Sequence, residues 1–198
     1  MIADTIARLR RDSGAPVDPT VRGPVPLDRF FTELAISHVA ASPLTLGKVA
    51  DLLRADGLTV DDLGDPVMPL AGFLFFAGRV GKAFVNAAEI LPRRRFTAAH
   101  ELGHFVLHRE GMKRFRLDTD QTLLETNIAA DPMEAEANRF AAELLMPEEV
   151  IRVRADELRM KYRACPRLVL AYRLASELLV SREAMRYRLK NLGVGDDD

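Results

Sequence analysis

The segment FTAAHELGHFVLH, residues 96–108, decides how the rest of this chain is interpreted. Within it, His100, Glu101 and His104 form the pattern H-E-x-x-H. An α-helix turns about 100° and rises about 1.5 Å per residue, so the two histidines lie about 40° and about 6 Å apart on one face. Two imidazoles at this spacing can bind one metal ion, and Glu101, about 100° further round, can reach a water on that metal.

The rest of the segment predicts a buried helix, because apolar side chains cover most of its circumference. The polar side chains share one sector, which contains Thr97, His100, Glu101, His104 and His108. Buried polar groups without partners cost a few kcal/mol each, so such a sector needs hydrogen bonds or a metal. We favour a metal; the alternative is a chance match in which the histidines are simply hydrogen-bonded.

Composition indicates a soluble globular protein, with 48% apolar residues, 29% charged residues and a net charge of -1. The chain has no run of about 20 apolar residues, so we expect no membrane span. The first residues lack the apolar core and cleavage site of a signal peptide. Cys165 is the single cysteine and cannot form an internal disulfide. A reducing, cytoplasmic location is therefore expected, with Cys165 as a packing residue.

Helical periodicity predicts three helices in the first part of the chain, over residues 2–12, 27–41 and 43–55. His38 falls in the second of these, where a lone histidine is more often a satisfied surface or core residue than a functional one. Residues 13–26 contain four prolines and two glycines, which predicts a loop or linker because proline lacks an N–H donor and breaks regular structure.

The middle of the chain predicts a β-hairpin followed by irregular structure. Residues 70–76 and 80–86 read as two short strands, and the first is apolar on both faces. Residues 109–130 are polar and predict an irregular connection. A second site helix then begins at Asp131-Pro132, with aspartate as N-cap and proline in the first turn.

That second helix offers a third metal ligand, which a catalytic zinc needs in addition to the two histidines. Glu134 and Glu136 both compete. Glu134 lies about 60° from the centre of the apolar face and Glu136 about 100° away on the other flank, which favours Glu134. Asn138, one turn after Glu134, is the candidate for a hydrogen bond that orients a ligand.

The C-terminal segment is basic, with 11 Lys and Arg against 4 acids in residues 151–190. Leu168–Leu179 and Arg182–Leu192 predict a helix pair, with Ser181 as the second N-cap. A basic second helix can bind nucleic acid, but a helix pair that closes a domain has the same pattern, and we favour closure.

The two segments FTAAHELGHFVLH and EAEANRFAAELLMP (residues 134–147) together resemble the ImmA/IrrE family of bacterial and phage metallopeptidases. The pairing is far more specific than H-E-x-x-H alone. The hairpin and the closing segment ASELLVSREAMRYRLKNLG are also similar to the family. The resemblance covers about residues 44–193. Residues 1–43 remain a helical extension and linker of unknown role, and residues 194–198 an acidic tail.

The resemblance implies a mostly helical, zincin-like α+β domain with a small antiparallel sheet beside the H-E-x-x-H helix and closing C-terminal helices. It places Zn²⁺ on His100, His104 and Glu134, with Glu101 as general base. His108 also fits the family pattern, where a structural hydrogen bond is expected rather than a ligand role. One strand of the hairpin is expected to be an edge strand that holds an extended substrate.

The activity implied is zinc-dependent hydrolysis of a specific peptide bond in a helix-turn-helix repressor that controls phage, mobile-element or stress-response genes. The donor that stabilises the oxyanion stays open among four candidates, Tyr162, Tyr172, Tyr187 and His38.

Two other functions compete with this one. The first is a zinc-stabilised regulatory protein that binds a toxin–antitoxin or phage partner without cutting it; the presence of Glu101 favours the enzyme, since a scaffold needs no general base. The second is a DNA-binding regulator that uses the basic C-terminal segment, which the low net charge disfavours.

Overall fold

The computed structural model of the chain describes residues 1–58, 60, 63–77, 80–111, 114–119, 131–162 and 165–195. The described part is a mostly helical α+β domain, which confirms the predicted fold class. Its elements are α1 Ile2–Asp12, α2 Leu27–Glu33, β1 Ile36–Ala41, α3 Leu46–Ala55, β2 Gly72–Ala77, β3 Val80–Asn86, α4 Leu91–His108, a 3₁₀ turn Arg109–Gly111, β4 Phe115–Asp118, α5 Pro132–Leu145, α6 Glu148–Lys161, α7 Arg167–Leu178 and α8 Arg182–Asn191.

The four described strands form one small sheet in the order β1-β3-β2-β4. The predicted hairpin is confirmed as the antiparallel pair β2 and β3, and β4 pairs antiparallel with β2. The sheet is nevertheless mixed, because β1 lies parallel to β3. The hairpin strands are interior, so the prediction that one of them is an edge strand is wrong; among the described strands the edges are β1 and β4.

The helix predicted over residues 27–41 is wrong beyond its first half. α2 ends at Glu33, Ala35 adopts a left-handed φ of 53°, and residues 36–41 form β1. A residue with positive φ cannot continue a right-handed helix, and the pairing of β1 with β3 then holds the segment extended. His38 therefore lies on β1, where its ring stacks on Phe31 with centroids 4.6 Å apart.

The irregular structure predicted for residues 109–130 is also wrong at residues 115–118, which form β4. The segment alternates apolar and charged residues, and side chains alternate between the two faces of a strand. Phe115 and Leu117 pack against the apolar cluster on the face of the sheet that carries α3, whereas Arg116 and Asp118 point to the opposite face. Residues 112, 113 and 120–130 of that predicted connection lie outside the described residues.

The sheet lies between two apolar cores. Leu74, Ala83 and Val85 pack on the face that carries α4 and α5, and Phe73 and Phe84 pack on the face that carries α3. These side chains are at most 2% exposed, and a fully buried side chain of the Val, Leu or Phe type contributes about 1.5–3 kcal/mol. The strands are therefore held firmly against α4.

Helices α4 and α5 approach closely because small residues line their contact. A Cβ atom at Gly103 would lie 3.1 Å from Phe140 Cδ1 and 3.2 Å from Ala137 Cα. Ala137 and Ala141 on α5 are completely buried. Glycine and alanine thus allow the backbones to come together, and the polar sector of α4 comes to face the first turn of α5.

Both predicted N-caps are confirmed. The Asp131 side chain accepts a hydrogen bond from Met133 N–H at 2.9 Å at the start of α5. Ser181 Oγ accepts one from Ala184 N–H at 3.1 Å at the start of α8. The preceding helix α7 ends at its C-cap residue Leu179, which has a left-handed φ of 52°. The closing helix pair α7–α8 is therefore present as predicted.

The first 43 residues contact the rest of the domain directly. The Arg10 guanidinium donates to Leu144 O at 2.6 Å, and the Arg95 guanidinium donates to Val25 O at 2.8 Å. The predicted domain boundary at residue 43 stays a prediction. Strand β1 lies before this boundary and pairs with β3, which lies after it. No described helix is both long and apolar enough to cross a bilayer.

Candidate metal centre

Helix α4 positions the two histidines of the H-E-x-x-H pattern side by side. His100 and His104 are completely buried, and their Nε2 atoms are 2.9 Å apart. The arrangement follows from the i, i+4 spacing on a helix whose other faces are packed against the sheet and α5. The two Nε2 atoms point at the same place, as two ligands of one metal ion must.

Glu134 on α5 faces this histidine pair. Its Oε2 atom is 3.2 Å from His100 Nε2 and its Oε1 atom is 3.3 Å from His104 Nε2. Glu136, the competing candidate, is an exposed residue whose carboxylate lies 3.6 Å from His108. The structure therefore brings Glu134 to the histidines and leaves Glu136 on the flank.

Asp118 joins the same group and was missed from the sequence. It is completely buried at the end of β4, and its Oδ2 atom lies 3.3 Å from His100 Nε2. The alternation of apolar and charged residues in Phe115–Asp118 was the available signal, because it predicts a half-buried strand. A four-residue segment inside a polar stretch is too short for that pattern to stand out.

Asn138 orients the first histidine. Its Oδ1 atom lies 2.9 Å from His100 Nδ1, and because a carbonyl oxygen can only accept, the Nδ1–H donates. In the neutral imidazole this leaves the lone pair on Nε2, directed towards His104, Glu134 and Asp118. Ligating histidines typically have such a partner on the nitrogen that does not bind the metal.

Arg116 holds the glutamate from the other side. It donates from both Nε and Nη2 to Glu134 Oε1, the Nε contact being 2.8 Å, and from Nη2 to Asp131 at 2.8 Å. The Arg116 guanidinium therefore links β4 to the start of α5. Because Arg116 and Asp118 share one face of β4, this contact also positions Asp118 relative to Glu134.

His108 lies one turn beyond His104 and outside the donor group. Its Nε2–H donates to Met133 O at 3.2 Å, the carbonyl of the residue before Glu134. The two rings of His104 and His108 are 5.6 Å apart. His108 thus binds the backbone at the start of α5, which is the kind of contact expected of it.

Glu101 projects from α4 toward the sheet and lies over Gly72 of β2. A Cβ atom at Gly72 would lie 2.6 Å from Thr97 Cγ2 and closer still to Glu101 Oε1. Glycine is thus the residue that leaves room for this carboxylate. Glu101 is completely buried, and neither of its oxygens has a hydrogen-bond partner within the described ranges.

The buried charges shift one another's pKa values. Burial lowers the pKa of His100, but hydrogen bonds and charge from Asp118 and Glu134 outweigh it and raise that pKa to about 9. Burial raises the pKa of Glu101, and the carboxylates of Asp118 and Glu134 raise it further, well above its usual value. Burial opposes ionisation of Glu134, but the two histidines hold its pKa well below its usual range.

These groups fit a metal ion. His100, His104, Asp118 and Glu134 each offer one ligand atom, and these atoms lie within 4.8 Å of one another. Tetrahedral Zn²⁺ with ligand distances of about 2.0–2.2 Å needs donors about 3.3–3.6 Å apart, close to the 2.9–3.3 Å found between the nearest of these atoms. Protons could satisfy only some of these converging atoms, because each hydrogen bonds one acceptor well.

The four oxyanion candidates lie in different places. His38 is on β1, at the opposite edge of the described sheet from Asp118. Tyr162 and Tyr172 line a cleft with Arg154 and Arg173, away from the histidines. Tyr187, on α8, lines a groove of about 480 Å³ together with Asn138, Phe96 and Arg188. Since Asn138 contacts His100, Tyr187 is the candidate whose cavity adjoins the donor group.

A peptidase family model, described as the IrrE N-terminal-like domain, matches residues 71–190. The chain is 31% identical over 67 residues to metallopeptidase ImmA of Bacillus subtilis strain 168, an alignment that covers 34% of this chain and 36% of that protein. It is 33% identical over 82 residues to uncharacterized immunity region protein 2 of Bacillus phage phi105, covering 41% of this chain and 48% of the relative. The matches thus span about a third to a half of the relatives' lengths.

Proposed function

The chain belongs to the ImmA/IrrE family, and on that premise we propose that it is a zinc-dependent endopeptidase. The observation that supports this most strongly is the position of Glu101. A fully buried carboxylate lies next to a four-residue donor group, and no N–H or hydroxyl donor bonds either oxygen in the part of the chain that the structure describes. A purely structural metal site has no use for such a group.

His100, His104 and Glu134 would hold the metal, with Asn138 and Arg116 keeping the first histidine and the glutamate in place. A bound zinc ion supplies Lewis acidity for the scissile carbonyl and its attacking water. Glu101 is the general base: its carboxylate takes a proton from the attacking water and delivers it to the leaving amine.

Tyr187 is the proposed donor to the oxyanion of the scissile carbonyl. Its groove also contains Phe96, Met146 and Ala184, with the charged side chains of Arg139, Glu143 and Arg188 at its wall. Such a lining accommodates an apolar substrate side chain. Tyr187 is 55% exposed, so its hydroxyl is free to meet a bound peptide.

The proposed substrate is a helix-turn-helix repressor in the cytoplasm. Support comes from the peptidase family and from the relative named as an immunity region protein of a phage, both of which are compatible with a protein substrate such as a repressor. The donor group is buried beneath the edge strand β4, and an extended peptide can pair with a strand edge through main-chain hydrogen bonds. A cleavage site in an unfolded linker of a repressor would meet both requirements.

One observation favours a second function, a zinc-stabilised binding protein without proteolysis. Structural zinc sites are usually closed by four protein ligands, whereas catalytic sites have three and keep one position open. The donor group here has four members because Asp118 belongs to it. A four-ligand site of this kind would hold the protein together while it binds a partner, without cutting that partner.

The experiment that tests the peptidase compares wild type, Glu101→Gln and Glu136→Gln, each purified with its bound partners from the native cells. Glu136→Gln is a matched control because it neutralises an exposed carboxylate of α5 outside the donor group. Mass spectrometry identifies the partners, and elemental analysis measures zinc. We expect an intact partner on Glu101→Gln, and defined fragments of it with wild type and with Glu136→Gln.

All three proteins should contain one zinc per chain, because glutamine at position 101 removes a base and not a ligand. An intact partner on all three would support the binding protein and refute the peptidase. Loss of zinc from Glu101→Gln alone would show that Glu101 is a ligand and that its proposed role is wrong.

A further inference from the structure

Asp118 is the member of the donor group that the proposed catalytic cycle does not require, since three ligands suffice for a catalytic zinc. We propose that Asp118 is a fourth ligand of the metal in the resting protein and closes the position that hydrolysis needs. This inference rests on the metal site proposed above and adds a form of regulation to it.

The first support is the environment of the carboxylate. Asp118 is completely buried; Oδ2 lies 3.3 Å from His100 Nε2, and Oδ1 has no hydrogen-bond donor among the residues that the structure describes. A buried charged group without a partner is strongly disfavoured, so the fold must supply a positive group to it. His100 Nε2, the ring nitrogen beside Oδ2, is itself aimed at the centre of the donor group.

The second support is that Asp118 is held in place by the strand that carries it. Gly72 of β2 is its direct cross-strand partner, and Ala71 N–H donates to Asp118 O at 2.8 Å. Phe115 and Leu117 anchor the other face of β4 in the core against α3. The carboxylate thus points to the histidines because of strand register, not because of a freely chosen rotamer.

The third support is the local balance of charge. Glu101, Asp118 and Glu134 bring three carboxylates to the centre, and Arg116 brings one guanidinium, which is bound to Glu134. Imidazoles that bind a metal ion are neutral and add no positive charge in that state. A divalent cation shared by Asp118 and Glu134 compensates the remaining negative charge, and a site with that cation and four ligands leaves no open position.

Asp118 must therefore move before a peptide can be cut. β4 is short, with four residues, and lies at the edge of the described sheet. A substrate that pairs along this edge acts directly on the strand that carries Asp118. The proposed device is thus a carboxylate that keeps the metal inaccessible until the correct partner binds.

The test replaces zinc by Co²⁺, whose visible absorption reports the number and kind of ligands. Wild type, Asp118→Asn, Asp118→Ala and the control Asp131→Asn are loaded with Co²⁺ and titrated with acetohydroxamate, which binds an open metal position. Zinc affinity is measured separately by competition with a chelator. Asp131→Asn is a matched control because it neutralises another carboxylate close to the site, one that binds Arg116 and lies outside the donor group.

We expect both Asp118 variants to lose zinc affinity at least about tenfold and to change their Co²⁺ spectrum with acetohydroxamate. Wild type and Asp131→Asn should bind zinc alike and show little spectral change at the same acetohydroxamate concentration. The isosteric asparagine keeps the test valid if the alanine variant does not fold.

Three results would overturn the inference. If all four proteins bind zinc equally and respond equally to acetohydroxamate, Asp118 is not a ligand, although the proposed peptidase survives. If wild type binds neither metal stoichiometrically, the metal site itself is wrong and both proposals fail. A change shared by Asp131→Asn and the Asp118 variants would assign the effect to Arg116 and also contradict a ligand role for Asp118.

Discussion

Replacing Gly72 by alanine should damage this protein in a specific way. The added methyl group would lie 2.6 Å from Thr97 Cγ2 and 3.2 Å from Glu101 Cδ, whereas ordinary carbon contacts are about 3.5–4.0 Å. β2 is held between β3 and β4 and cannot retreat without breaking its pairing. Glu101 must therefore turn away from its position, or α4 must shift from the sheet.

The expected cost in the free energy of unfolding is about 1–3 kcal/mol, which is typical when one methyl group is forced into a packed core. For a domain of this size that cost lowers Tm by about 2–12 °C, since each kcal/mol shifts Tm by about 2–4 °C. A displacement of Glu101 by about 1 Å should reduce cleavage about a hundredfold. Zinc affinity should change by less than about threefold, because the three atoms nearest to the added methyl group belong to Thr97 and Glu101 and not to a proposed ligand.

The assay measures urea unfolding, zinc affinity and cleavage of the partner captured on Glu101→Gln. Gly81→Ala is the matched control in the neighbouring strand, because its Cβ would lie 3.0 Å from Ile36 Cγ1 and 3.3 Å from Phe105 Cε2, far from Glu101. It should lose stability and keep its cleavage rate. Glu101→Ala combined with Gly72→Ala should recover part of the lost stability, because one of the two obstructing side chains is then gone.

The reasoning is refuted if Gly72→Ala unfolds and cleaves like wild type, or if Gly81→Ala loses cleavage to the same degree. It is also refuted if the double variant is no more stable than the sum of the two single changes predicts.

Three further predictions follow from the same contacts. Removing zinc with a chelator should lower Tm by about 8–16 °C when zinc is present at a thousand times its Kd, since that excess stabilises the folded state by about 4 kcal/mol; an unchanged Tm in calorimetry would argue against the metal. Asn138→Ala should reduce zinc affinity about 10–100-fold in chelator competition, because it removes the acceptor of His100 Nδ1–H, whereas Arg139→Ala on the exposed side of α5 should leave it unchanged. Ser181→Ala should destabilise the domain by about 0.5–2 kcal/mol in urea unfolding, with zinc affinity intact, because it removes only the α8 N-cap; a coupled loss of zinc would contradict that separation.

Much of the fold could be predicted because local geometry controls it. The hairpin β2–β3, the site helices α4 and α5, and the α7–α8 pair were all recognisable from period and caps. Such features depend on residues a few positions apart, so neighbouring side chains and backbone groups determine them. The family resemblance is confirmed as well, since its two motifs lie within the matched region.

Strand pairing between distant segments was not predictable in this way. Residues 36–41 and 115–118 became strands because each pairs with a buried hairpin strand, and short segments lack a period strong enough to signal it. The helical periodicity read over residues 27–41 was overridden by Ala35 with its left-handed φ and by the free edge of β3.

In the candidate site, too, some features depend on one segment and others on the packing or pairing of two segments. The spacing of His100 and His104 and the preference for Glu134 over Glu136 follow from the geometry of single helices, so the sequence alone determined that these side chains share faces. The distance between the helices was decided by the packing of Gly103 against Ala137. Asp118 enters the group only because β4 pairs with β2 in a register that sets it opposite Gly72. Helix spacing is a property of one segment, whereas strand register exists only once two distant segments have met.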